Sequence, residues 1–171
     1  MNKNVKIFLT GFMGSGKTAY GKPLAELLNI DFFDLDSYIE KKYNTSIAKI
    51  FTQEGEKKFR EYERKALHEI TENNNNFVLA TGGGTPCFDN NMEFMNASGT
   101  CIYLKCTVDE LYENILLSNP ERPLLQGKRN SELYEHIKRL LSIREPVYEQ
   151  AKIIVTGENH NPEKIFKIIK P

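Results

Sequence analysis

The chain has 171 residues and balances 23 Lys+Arg against 23 Asp+Glu, so its formal net charge is zero. Neutrality argues against a nucleic-acid or anionic-membrane partner, because affinity for such surfaces comes from excess Lys and Arg. A hydrophobic fraction of 40%, with 10 Phe and 8 Tyr, excludes disorder and suits one core, so residues 1–171 read as a single domain.

Elements are legible in chain order. Val5–Thr10 is a near-continuous apolar run that opens into Gly11, the pattern of a strand buried on both faces. A helix is predicted over 16–28, with Leu24, Leu27 and Leu28 on one side. Phe32 and Phe33 form a short second strand, followed by a helix over 36–43. A long helix over about 54–73 presents Phe59, Tyr62, Ala66, Leu67 and Ile70 at helical spacing. Asn73 to Asn76 mark an exposed connection, since Asn has poor helix and strand propensity. Phe77–Thr81 is a third strand that runs into Gly82-Gly83-Gly84, and Thr100–Leu104 is a fourth. Thr107 and Glu110 form a capping box ahead of the next helix. A helix over about 131–150 leads to a fifth strand, Lys152–Thr156. Asn161 and Pro162 supply the N-cap and first-turn proline of the last helix. Strands alternating with helices imply right-handed crossovers, hence an α/β fold: three layers, α/β/α, around a central five-stranded parallel sheet. Ligands of such sheets sit beyond the carboxyl ends of the strands, where the unusual residue clusters of this chain fall.

Gly11-Phe12-Met13-Gly14-Ser15-Gly16-Lys17-Thr18 fits G-x-x-x-x-G-K-[ST] between a strand and a helix. Glycines let backbone N–H groups turn inward around phosphate oxygens, and the helix N-terminus adds its positive end. Lys17 reaches toward β- and γ-phosphates, and the Thr18 hydroxyl suits Mg²⁺. No Asn-Lys-x-Asp segment follows for guanine recognition, and the length leaves little space for a mechanical coupling domain. A small kinase is favoured.

Asp34 and Asp36 follow the second strand at i and i+2, which in extended chain would project both to one face. One carboxylate suits the water shell of Mg²⁺ and the other a substrate hydroxyl; alternatively, Asp36 only caps a helix beginning at Ser37. Only six of the 23 basic residues are Arg. A planar, bidentate grip on carboxylate or phosphate demands Arg, whereas generic surface charge does not. Arg60 lies three residues before Glu63, which could orient its guanidinium. Arg122 sits in Arg122-Pro123-Leu124-Leu125 between Pro120 and Gly127, and Arg144 late in a helical stretch interrupted by Pro146. Arg64, Arg129 and Arg139 read as solvated surface charge. The triple glycine suits close backbone approach to a ligand, or a plain turn.

Together these pieces resemble the shikimate kinase family, a group of small P-loop kinases. The resemblance runs nearly the full chain: Gly11–Thr18, Phe33-Asp34-Leu35-Asp36, Ser46-Ile47 with Ile50-Phe51, Gly55-Glu56, Phe59-Arg60 with Glu63, Gly82–Gly84, Arg122-Pro123-Leu124-Leu125, and Arg144 with Tyr148. It implies a P-loop-kinase-type fold and ATP- and Mg²⁺-dependent phosphorylation of the 3-hydroxyl of shikimate, a step toward aromatic amino acids. It further implies that Asp36 engages the shikimate hydroxyls and serves as base, and that Asp34 supports Mg²⁺ through water, with Thr18 as direct ligand. Arg60 and Arg144 resemble the pair that grips the substrate carboxylate, and Gly82, Gly83 and Gly84 lie against the ring. Arg122 resembles the arginine of a lid over about 117–131, opposite Lys17. Gly14, Ser15 and Gly16 complete the phosphate cradle, and Asn161-Pro162 resembles the loop bordering adenine. Residues about 37–66 would bind substrate. The chain departs from its relatives at Asn114 and Ile115, where a basic residue often faces adenine; an apolar packing of the base is expected instead. ATP and shikimate are thus the expected partners, with no nucleic acid and no membrane. No apolar run nears the ~20 residues that cross a bilayer. Ile7-Phe8-Leu9 is too short for a signal peptide. Cys87, Cys101 and Cys106 lack metal-ligand spacing and read as reduced thiols of a cytoplasmic protein. Neutral charge and a complete core permit a monomer.

Overall fold

A computed structural model describes residues 4–118 and 128–169. In chain order its elements are β1 (Val5–Thr10), α1 (Lys17–Leu28), β2 (Asp31–Asp34), α2 (Leu35–Tyr43), α3 (Ile47–Gln53), α4 (Gly55–Asn73), β3 (Asn76–Ala80), α5 (Asn91–Ser98), β4 (Thr100–Lys105), α6 (Val108–Ser118), α7 (Lys128–Tyr148), β5 (Ile153–Thr156) and α8 (Pro162–Ile169), with short 3₁₀ turns at Thr85–Cys87 and Gly157–Asn159. The five strands form one parallel sheet in the order β2-β3-β1-β4-β5.

Because strand side chains alternate between faces, the apolar runs supply both sides of the sheet. Phe8, Phe77, Leu79, Cys101 and Tyr103 face a core completed by Leu35 and Ile39 of α2, Ile50 of α3, Phe59, Leu67 and Ile70 of α4, Met95 of α5, Leu111 of α6 and Ile137 of α7. On the other side Ile7, Leu9, Val78, Ile102, Leu104 and Val155 pack with Leu24 and Ala25 of α1 and Ile165 of α8. The three-layer expectation therefore holds. Beyond the carboxyl ends of the strands lie the phosphate loop, Asp34, the triple glycine, Cys106 and the 157–161 turn.

Local chemistry explains several boundaries, and corrects some. Thr107 and Glu110 close the capping box: Glu110 N donates to Thr107 Oγ1 at 3.2 Å and Thr107 N to Glu110 Oε2 at 2.7 Å. Asn161 Oδ1 accepts from the N–H groups of Glu163 and Lys164, with Pro162 as the first residue of α8. The cap of α2 is Asp34 rather than Asp36, its Oδ1 accepting from Ser37 N at 3.1 Å. That capping bond starts the helix at Leu35, so Asp34 and Asp36 do not share an extended face. Leu27 is largely exposed, and the inward face of α1 is instead Gly21, Leu24 and Ala25. In α4 the buried face includes Glu63, while Tyr62 lies toward its edge and stacks on Tyr43 at 4.0 Å. Helix α7 passes through Pro146 and ends at Tyr148, so the proline does not break it.

Candidate active site

The phosphate loop is preformed. Gly14 and Gly16 adopt φ of 81° and 86°, a region closed to most side-chain-bearing residues. Ser15 N donates to Phe12 O at 3.2 Å, closing a turn over 12–15. Helix α1 begins at Lys17 with neither a side-chain cap nor an acidic residue in its first turn, which leaves its positive end open to an anion. The Ser15 hydroxyl is buried without a hydrogen-bond partner. It lies against the strand exit, where a carbon added at Gly11 would be 2.8 Å from its oxygen, so the part of the loop suited to an acceptor-rich ligand is the uncapped helix start.

Lys17 folds back over this loop, and its Nζ donates to Gly11 O at 2.9 Å and Phe12 O at 2.8 Å. Burial lowers its pKa to about 8, against the attraction of Asp36, Cys106 and Asp34 and with the repulsion of Arg144. Thr18 donates from Oγ1 to Asp34 Oδ2 at 2.7 Å, so one carboxylate both caps α2 and joins the loop. Asp36, in the first turn of α2, is open to solvent, yet the surrounding protein and the charges of Glu63 and Asp34 raise its pKa to about 6.

Across the cleft, the triple glycine is the point on which the remaining groups converge. A methyl carbon placed on Gly82 would lie 2.9 Å from Glu63 Oε1 and 3.2 Å from Asp36 Oδ1; on Gly83, 3.3 Å from Met13 N and 3.7 Å from Arg144 Nη1; on Gly84, 2.7 Å from both terminal nitrogens of Arg60. The protein's own atoms therefore demand glycine here, and Thr85 N donates to Gly82 O at 3.1 Å, so the segment is also a turn. Arg60 is held from several directions. Nη1 donates to Glu63 Oε2 at 2.7 Å and Nη2 to Glu56 Oε1 at 3.1 Å, while the guanidinium carbon lies 4.1 Å from the centre of the Phe88 ring. Its side chain is 11% exposed and that of Glu63 1%. Glu63 is in turn fixed by Thr85 Oγ1, which donates to Oε1 at 2.6 Å. Arg144 lies over the Phe12 ring at 5.9 Å, and Tyr148 donates from Oη to Gly83 O at 2.5 Å.

Most residues singled out in the sequence thus meet in one cleft: the loop 14–18, Asp34, Asp36, Arg60, Gly82–Gly84 and Arg144. Asn161 and Pro162 stand at the start of α8, next to His160, whose Nε2 lies 2.8 Å from Val155 O and whose ring faces Tyr20 at 6.1 Å. Arg122 and the segment 119–127, most of the expected lid, lie outside the described residues. Sequence reasoning missed Thr85 and Phe88. The signal was present for Thr85, because an acid on the apolar face of α4 requires a donor, and the first hydroxyl after the glycines supplies it.

A family model described as shikimate kinase matches residues 13–170. A shikimate kinase of Bacteroides thetaiotaomicron is 46% identical over 154 residues, covering 90% of this chain and 87% of that one. One of Azobacteroides pseudotrichonymphae is 48% identical over 166 residues, 97% of this chain and 98% of its own. The 1.7 Å crystal structure of shikimate kinase from B. thetaiotaomicron superimposes with a TM-score of 0.85 at 42% identity, covering 97% of this chain and 96% of that one. Shikimate kinase from Acinetobacter baumannii in complex with shikimate gives a TM-score of 0.81 at 36% identity, covering 98% and 92%. A gluconokinase from Sinorhizobium meliloti, at 15% identity and a TM-score of 0.56 over 98% and 90% of the two chains, shares the fold alone.

Proposed function

We infer the chemistry from one premise: the chain belongs to the shikimate kinase family. The reaction is transfer of the γ-phosphoryl group of ATP to the 3-hydroxyl of shikimate, giving shikimate 3-phosphate and ADP. The observation that carries this reading is the convergence of Asp36, Arg60 and Arg144 on the triple glycine, with the Met13 amide of the phosphate loop 3.3 Å from a carbon added at Gly83. An acid bearing several hydroxyls needs guanidinium groups for its carboxylate, a carboxylate acceptor for its reacting hydroxyl, and a backbone that lets the ring come close.

The N–H groups of Gly16 and of the residues opening α1 hold the phosphates, while Gly14 and Ser15 shape the turn beneath them, Ser15 N donating to Phe12 O. Lys17 exchanges its two loop carbonyls for phosphate oxygens. Arg60, fixed by Glu63 and Phe88, and Arg144 grip the substrate carboxylate. Asp36 then lies beside the hydroxyl and accepts its proton as the oxygen forms a bond to the γ-phosphorus and the bond to the ADP oxygen breaks. A raised pKa suits that task, since a base near neutrality accepts a proton readily yet remains ionised at pH 7. Arg122 is assigned over the transferring phosphate from its Arg-Pro-Leu-Leu motif, and Asn161 and Pro162 beside adenine from their place before α8.

The Thr18 hydroxyl and Asp34 carboxylate, 2.7 Å apart and exposed beside the loop, are hard oxygen donors of the kind Mg²⁺ takes. Thr18 would hold the ion directly and Asp34 would hold it through water. When bound there, Mg²⁺ neutralises phosphate charge as it redistributes. The three cysteines are unpaired, in keeping with a reducing, cytoplasmic setting.

The test is ADP production from ATP and Mg²⁺ with shikimate, gluconate or nucleoside monophosphates as acceptors. Turnover with shikimate alone is expected; faster turnover with another acceptor refutes the assignment.

A further inference from the structure

Helix α6 meets the phosphate loop at Gly14. A methyl carbon on Gly14 would lie 3.0 Å from Ile115 Cγ1, 3.5 Å from Leu111 O and 3.6 Å from Asn114 Cβ. Positions 111, 114 and 115 are i, i+3 and i+4, one face of a helix. From that face Asn114 donates through Nδ2 to Gly14 O at 2.9 Å, a bond that links residues 100 positions apart. Because a carbonyl only accepts, it is the amide nitrogen of Asn114 that must point inward.

The bond falls on the middle peptide of the loop. The carbonyl side of the Gly14–Ser15 unit is held by Asn114 and its N–H side by Phe12 O, at 3.2 Å. Peptide planarity makes these two restraints act on one rigid plate, so together they fix the plane. The next N–H groups in the chain, those of Gly16, Lys17 and Thr18, follow that plate directly at the uncapped start of α1. Asn114 and Ile115, singled out in the sequence for their place before the Arg122 motif, both lie against the loop.

We propose that Asn114 is a positioning residue of the phosphate loop, which acts through the Gly14 carbonyl to keep the loop in its polyphosphate-binding shape. The proposal rests on the reading of residues 11–18 as the ATP site. It differs from a contact with the base, because its effect is carried by the phosphates alone.

The experiment compares the intact chain with Asn114→Leu, of similar size but without a donor, and Asn114→Gln, which keeps the donor on a longer arm. ADP and inorganic tripolyphosphate binding are measured by calorimetry, alongside steady-state constants for shikimate. Asn114→Leu is expected to weaken ADP and tripolyphosphate by the same factor, about 5–10-fold, the size of one lost hydrogen bond. The KM for shikimate should stay within about twofold, and Asn114→Gln should bind both probes more tightly than Asn114→Leu. Loss of ADP affinity with tripolyphosphate untouched would make Asn114 a base contact and overturn the proposal. So would unchanged affinity for both probes, or an equal rise in the KM for shikimate. Failure of the unsubstituted chain to bind either probe would instead refute the ATP-site reading itself.

Discussion

Replacing Asp36 by Asn should stabilise the fold while destroying its chemistry, and the pH dependence of that gain is calculable. In the folded chain the Asp36 carboxyl is raised from its ordinary 3.8 to about 6, first by burial and then by Glu63 and Asp34. An acid whose folded pKa lies above its unfolded value costs stability once ionised. The cost is absent below pH ~4, grows between ~4 and ~6, and is complete above ~6. A rise from 3.8 to about 6 corresponds to ~3 kcal/mol at full effect. Because the Asp36 side chain reaches solvent, screening reduces this to ~1 kcal/mol. For a chain of 171 residues that is a rise of ~3 °C in Tm at pH 7.5. Urea and thermal denaturation of both proteins at pH 4 and pH 7.5 check the expectation, with no difference at the lower pH and the full gain at the higher. At pH 7.5 turnover should fall by ~100-fold or more while ADP affinity is kept. An Asn variant less stable at pH 7.5, or one stabilised equally at both pH values, would refute the assignment of a raised carboxyl to Asp36.

Arg60→Lys removes the planar fork that Glu63, Glu56 and Phe88 hold in place, so KM for shikimate should rise ~10-fold with KM for ATP within about twofold; unchanged constants would take Arg60 out of the substrate site. The profile of kcat/KM against pH should be bell-shaped, because Asp36 must be ionised, above about 6, and Lys17 charged, below about 8. Saturating ATP should move the basic limb of kcat upward, since phosphate favours the charged lysine. Asp34→Asn retains a good helix cap, so stability should change by less than ~0.5 kcal/mol. The Mg²⁺ concentration for half-maximal rate should rise ~10-fold, and a large loss of stability with no change in Mg²⁺ requirement would reverse that division of labour.

What was legible in the sequence follows from how strongly each signal is overdetermined. Strand β1 was read at its observed ends because a two-sided apolar run closed by glycine admits few other structures. Helices α3 and α5 were not seen: each is a short segment with little buried apolar surface, Ile50 in one and Met92 and Met95 in the other. The two aspartates misled because either can cap a helix, and only the Asp34–Ser37 bond decides which does. Glu63 was correctly paired with Arg60, but its burial was not foreseen, since periodicity assigns faces by hydrophobicity and an acid inside is sustained only by partners distant in sequence, such as Thr85. That Asn114 touches the loop could not be read at all, because nothing local relates positions 14 and 114.

One earlier detail governs how tightly any nucleotide can be held. Lys17 is its own chain's guest, its ammonium satisfied by the oxygens of Gly11 and Phe12. An incoming triphosphate must therefore displace an internal rival, and the affinity observed is the difference between two embraces of the same cation.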